Sequence, residues 1–125
     1  MSNENTVIKE ETLNAFNAMW DLHPSPVLLI RTNRDIVAVN EAGRHLGIPA
    51  GIKCFQLAGN SSICDGCKGT AAVKENTGKQ AAAWQAKRNM FVDTYWIPVQ
   101  DETGLFVHFG NDITEYVKEE FIGKH

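Results

Sequence analysis

The chain has 125 residues, 43% hydrophobic and 22% charged, with a formal charge of −3 at pH 7. That is the size of one domain with one core, too apolar to be disordered and without the basic stripe of a nucleic-acid binder. From the polar, acidic start MSNENTVIKEET no signal peptide is expected, and the longest apolar run, Pro26 to Ile30, is far short of the roughly 20 residues that cross a bilayer. A cytoplasmic location without membrane attachment is the expectation.

In chain order, Thr6 to Leu22 reads as an amphipathic helix, with Val7, Ile8, Leu13, Phe16, Met19 and Trp20 at roughly helical spacing. His23-Pro24-Ser25-Pro26 ends it. Two β-branched runs, Val27–Arg31 and Ile36–Asn40, flank the polar tetrad Thr32–Asp35 as in a β-hairpin. Asn40 stands where a helix starts, and Gly47 where it stops.

The segment from Ile48 to Gly78 lacks strand alternation and holds all three cysteines. Capping-box spacing in Ser62-Ile63-Cys64-Asp65 predicts a helix from about Ile63 to Thr77, stopped by Gly78. Gly66 and Gly69 weaken its first turns, so something else must hold them. The last third predicts three strands, Lys79–Ala86, Met90–Val99 and Leu105–Asn111, followed by a short charged helix over Ile113–Phe121. On the second of these strands Met90, Val92 and Trp96 point one way, Phe91, Tyr95 and Ile97 the other. Both faces are therefore apolar, and the sheet must be covered on both sides, one of them by the N-terminal helix. The order of elements predicts an antiparallel α+β domain.

The stretch Pro24-Ser25-Pro26-Val27 through Asp35-Ile36-Val37-Ala38-Val39-Asn40-Glu41-Ala42 resembles the opening hairpin and first short helix of PAS domains. Trp96-Ile97-Pro98-Val99, Asp101-Glu102-Thr103-Gly104 and Asp112-Ile113-Thr114-Glu115 are similar to the family's closing strands and terminal D-I-T-E motif. The resemblance spans residues 24–116. It implies a PAS-like five-stranded antiparallel sheet with short helices cupping a pocket on one face. Residues 1–23 would form a capping or dimerising helix, and residues 117–125 a C-terminal helix or tail. It also implies sensing of a small ligand or a redox or metal cofactor rather than catalysis, so that no catalytic residues are expected; the alternative is a metal-stabilised protein-interaction domain without a sensory ligand. Its partners would be a second copy of the chain, through Phe16 and Trp20 where the N-terminal helix is left uncovered, and a kinase or regulator. No output domain follows in this sequence, so the chain is expected either to act by binding a partner or to be a fragment.

Cys54, Cys64 and Cys67 lie at C-x9-C-x2-C spacing. Placed on the first turn of a helix, the C-x2-C pair brings two sulfurs together near the positive end of the helix dipole. Zinc or an iron–sulfur cluster suits such a set but takes four ligands. A fourth would come from His45, His108, a carboxylate, water or another chain. A subset of PAS domains in bacterial and archaeal sensors is similar here, matching Gly51-Ile52-Lys53-Cys54-Phe55 and Cys64-Asp65-Gly66-Cys67, with Lys68 where a proline is common. Two other readings stand beside the metal: a reversible Cys64–Cys67 redox pair, and inert buried thiols. Lys68 after the pair argues against covalent c-type haem, and no flavin-binding signature surrounds a cysteine. Phe55, Trp84, Trp96 and Phe106 are the candidate pocket lining, with ordinary core packing as the competing reading. His108, on the strand face of Phe106, reads as a packed histidine before a ligand, while His45 reads as solvent-facing and His23 as a loop residue. No serine–histidine–acid order, phosphate loop or metalloprotease motif is present.

Overall fold

The structure, a computed structural model, describes residues 8–122. Five strands form one antiparallel sheet: β1 (Val27–Arg31), β2 (Ile36–Val39), β3 (Lys79–Gln85), β4 (Met90–Pro98) and β5 (Leu105–Asp112), in the spatial order β2-β1-β5-β4-β3. The helices are α1 (Glu10–Trp20), α2 (Glu41–His45) and α3 (Gly69–Glu75). No helix among the described residues is long and apolar enough to cross a membrane.

The central strands β1 and β5 pair in continuous register from Val27↔Phe109 to Arg31↔Leu105, and their side chains alternate between two cores. On the front face Leu28, Ile30, Phe106 and Trp96 pack with Ala72 of α3, joined by Ile48, Ile52, Cys54 and Cys67. On the back face Val27, Leu29, Leu105 and Val107 pack against Phe16, Leu13 and Trp20 of α1. The two-sided covering expected from β4 is what the fold builds. Met19 and Leu22, part of or adjoining the amphipathic helix, turn outward and stay 74% and 87% exposed. Residues 6 and 7 of that expected helix lie outside the described residues, and its observed start is Glu10.

Asn40 joins the two sides. Fully buried, its side-chain oxygen accepts from Val27 N at 2.8 Å and from Gly43 N at 3.1 Å, capping α2. Its amide donates to the Trp20 and Ser25 carbonyls, both at 3.0 Å, and so fixes the end of α1 to the start of β1. One side chain thus satisfies groups that three elements would otherwise leave unpaired in the interior.

Two helices differ from expectation. The helix expected over Ile63–Thr77 is confined to Gly69–Glu75, and it ends at Asn76, not Gly78, with Asn76 in the left-handed region at φ 49°. Residues before Gly69 are held in a turn whose Gly66 has φ 81°, which no α-helix contains. The charged C-terminal helix is absent as such. Two 3-10 turns, Thr114–Tyr116 and Glu119–Phe121, stand there, separated by extended backbone at Val117 and Lys118. Asp112 bonds the Thr114 backbone N–H at 3.0 Å, and Thr114 Oγ1 accepts from Phe91 N at 2.8 Å. Those bonds tie the segment to β4 and leave no free helical start.

Candidate functional site

The chemistry-bearing groups collect on the front face around Arg34, in the β1–β2 turn. Asn33 makes that turn with its own side chain, accepting from Asp35 N at 2.9 Å. Arg34 itself sits at φ 80°, an unusual conformation for a residue with a side chain. The turn aims the guanidinium inward, where the residue is 1% exposed. Its amino groups donate to the Thr32 carbonyl, to Thr70 Oγ1 at 3.1 Å and to Cys67 Sγ at 3.4 Å. Its carbon lies 5.4 Å from the centroid of the Phe106 ring. Nε has no hydrogen-bond partner, and no carboxylate pairs with this cation, among the described residues. A buried charge with only neutral partners is expensive to keep and draws negative charge towards it.

The cysteines come to this point by separate routes. Residues 51–54 run beside β2: Gly51 N donates to Ile36 O, Ile36 N to Ile52 O, and Cys54 N to Arg34 O at 2.9 Å. Cys54 is thereby anchored to the Arg34 backbone and then starts a 3-10 turn, Cys54–Ala58. Cys64 and Cys67 occupy the ends of a closed β-turn, with Cys67 N donating to Cys64 O at 3.1 Å and Gly66 at the third position. The C-x2-C pair therefore precedes α3 rather than lying on its first turn, and the helix-dipole argument does not apply to it. Asn60 Nδ2 donates to Cys64 Sγ at 3.3 Å. All three thiols are free and half-buried. Burial pushes the Cys54 thiol up from 9.0 to about 11, the neighbouring Cys67 adds to the rise, and the Arg34 charge opposes it.

Gly69 explains why α3 can lie so close to this cluster. A Cβ at that position would stand 2.5 Å from Phe106 Cζ. The residue that weakens the helix in isolation is the one that allows it onto the sheet.

His108 shares the front face, stacked on Trp96 with ring centroids 5.4 Å apart. Its Nδ1 donates to the Tyr95 carbonyl at 3.1 Å. Burial lowers its pKa from 6.5 to about 4, aided by the charges of Arg88 and Arg34, so the ring is neutral at pH 7. His45 is exposed on α2. His23 is in a loop as expected but packs its ring on Trp20 and Phe109, at 5.8 and 5.5 Å.

Of the expected pocket lining, Trp96 and Phe106 belong to the front core, and Phe55 is half-buried in the 3-10 turn. Trp84 does not join them. It pairs with Phe91, while Trp96 pairs with Lys79, so the alternation of β3 puts Trp84 on the back face. Sequence reading overlooked Arg34, although a lone arginine in the centre of a predicted hairpin turn was visible. Nothing in the sequence signalled that its side chain turns into the core.

Zinc or an iron–sulfur cluster does not fit this arrangement. Among the described residues no group of three or more His, Cys, Asp or Glu side chains converges as a metal site. His45 points to solvent, and a guanidinium faces the sulfur of Cys67 where a cation would have to approach.

No protein-family model matches the chain, and no curated protein matches it. Nine chains among the solved structures do. A domain of an HTR-like protein from Haloarcula marismortui shares 20% identity at a TM-score of 0.51, over 73% of this chain and 99% of that one. The PAS domain of Bordetella pertussis BvgS shares 16% identity at a TM-score of 0.51, over 87% of this chain and 89% of that one. At such identities the likeness is one of fold, and it agrees with a five-stranded antiparallel sheet carrying a few helices. The chain has a PAS-like α+β fold.

Proposed function

We propose that this chain is a sensory module in which a change on the front face is passed through the sheet to α1 and to the segment after β5, where a partner protein reads it. The observation that carries the reading is the makeup of β5. Phe106 touches the Arg34 cluster in front, and its neighbour Val107 packs against the α1 layer behind. The same strand runs on to Asp112, whose side chain fixes Thr114. A displacement of Phe106 moves Val107 and the exit of the strand with it, because packed layers shift rather than absorb strain. Catalysis is no part of this proposal, which includes no acid–base or nucleophile–base pair. Phe16 and Trp20, the expected dimer surface, pack onto the sheet instead, so the proposed contact with a second copy of the chain or with a kinase-type partner runs through the outward Met19 and Leu22 on and beside α1.

The test is Phe106→Leu, read by backbone amide chemical shifts. The expected result is that amides of α1 and of Ile113–Tyr116 move along with those of α3. Shifts confined to the front face would overturn the reading. Concentration-dependent sedimentation, abolished by Met19→Glu, is the expected sign of a homodimer through α1.

A further inference from the structure

We propose that Cys67 is a peroxide-reactive thiol activated by Arg34, and that it closes onto Cys64 as a reversible disulfide across the Cys64–Cys67 turn. Two independent observations meet here. The first is a guanidinium 1% exposed whose Nη2 lies 3.4 Å from Cys67 Sγ, whose Nε is unpartnered, and which has no carboxylate partner among the described residues. A cation in that state stabilises a thiolate beside it, and a half-exposed sulfur there is within reach of a small oxidant. The second is the turn itself. The bond from Cys67 N to Cys64 O closes four residues, so the two Cα atoms lie within about 7 Å of each other. That separation falls in the range a disulfide spans, and Gly66 at φ 81° lets the turn close without strain.

The reaction balances with a hydroperoxide as the oxidant. The Cys67 sulfur attacks the peroxide, an S–O bond forms as the O–O bond breaks, and the departing oxygen leaves as water or an alcohol after taking a proton. Cys67 is then a sulfenic acid, oxidised by two electrons, and the peroxide is reduced by two. Cys64 attacks the same sulfur, the S–S bond forms, and the hydroxyl leaves as water with the proton that Cys64 gives up. Cys54 takes no part. Its backbone is tied to the Arg34 carbonyl, and its thiol is pushed up to about 11 by burial. Closure turns the sulfur to which Arg34 Nη2 donates into a disulfide sulfur, and the buried guanidinium must then find another partner. Since Arg34 lies against Phe106, that rearrangement acts on the strand through which the sensory reading sends its signal. The link to signalling rests on that reading, while the thiol chemistry does not.

The test treats the full chain with hydrogen peroxide and maps the thiols by mass spectrometry with dimedone, which traps sulfenic acid. In the wild type a Cys64–Cys67 cross-link is expected, reversed by dithiothreitol. In Cys64→Ser the dimedone adduct is expected on Cys67, and Arg34→Gln slows the reaction by roughly 10-fold or more. A first adduct on Cys54 or Cys64, a cross-link through Cys54, or a Cys67 that reacts no faster than glutathione overturns the proposal. The wild-type map decides the matter even if Arg34→Gln does not fold. Amide shifts of the oxidised wild type separate the two readings. Oxidation at Cys67 with α1 unmoved leaves the thiol site and removes the sensory route, and a response of α1 to Phe106→Leu without thiol reaction does the reverse.

Discussion

The two faces of one sheet are built differently, although the same strands supply both. The back is an apolar layer in which α1 lays Leu13, Phe16 and Trp20 on Leu29, Val107 and Phe109, with Tyr95 stacked on Phe109 at 5.1 Å and Trp20 tilted against Phe109 at 5.2 Å. Its polar network, Tyr95 and Gln80 bonding Asp93, sits towards the edge. The back also buries Arg31 and Thr12, both 7% exposed, whereas the front gathers Arg34, a neutral histidine and three thiols around one point, held by turns and a 7-residue helix. An apolar layer is stable with little geometric demand, whereas buried polar groups are stable only in one arrangement. In the proposed sensory reading the back is therefore the mount, and the front is the part that changes state.

The sharpest way to break this comparison is to remove the mount alone. Phe16→Ala should lose about 4 kcal/mol of stability in urea unfolding. Hydrogen exchange in α1 should rise while the thiol environment of Cys67, read by alkylation rate, stays as it was. Equal changes on both faces would mean that the layers are not separable. Next comes the joint between them. Asn40→Ala strands the buried Val27 and Gly43 N–H groups, and should cost about 3 kcal/mol and loosen α1 and α2 together.

The front face should also carry a pH dependence through His108. The unfolded chain binds a proton at His108 near pH 6.5, whereas the folded chain resists it down to about 4. The stability contributed by the neutral ring is complete above pH 6.5 and is lost as pH falls towards 4, by at most about 3 kcal/mol. His108→Gln should flatten that part of the pH–stability curve. A curve unchanged by the substitution would place the titration elsewhere. The smallest expected effect is that of Gly69→Ala, about 2 kcal/mol, because the added methyl meets the Phe106 ring and α3 must move off the sheet. An exposed helix start would gain stability from the same change, so the sign of the result tests the close packing directly.

The strands were legible because alternation and turn residues are local. Val27–Arg31, Met90 and Leu105 begin or bound strands as the pattern predicts, and Asn40 caps α2 as its position before Glu41 implies. The long helix through Cys64 and Cys67 was misplaced, since a capping-box spacing says nothing about a glycine that the fold holds at positive φ. Trp84 was grouped with Trp96 and Phe106 as candidate pocket lining, because aromatic character alone does not give register. The pairing with β4 decides it.

By itself the sequence determined an α+β domain with a sheet apolar on both faces and three cysteines in one helical-to-loop segment, because periodicity and composition record burial. Only the tertiary structure decided where charge is buried. Arg34 is four residues from Ile30 and far along the chain from Cys67 and Phe106, yet the left-handed turn carries its guanidinium to both. A contact of that kind depends on one backbone dihedral and on the close seat of Gly69, and neither leaves a periodic trace in the chain.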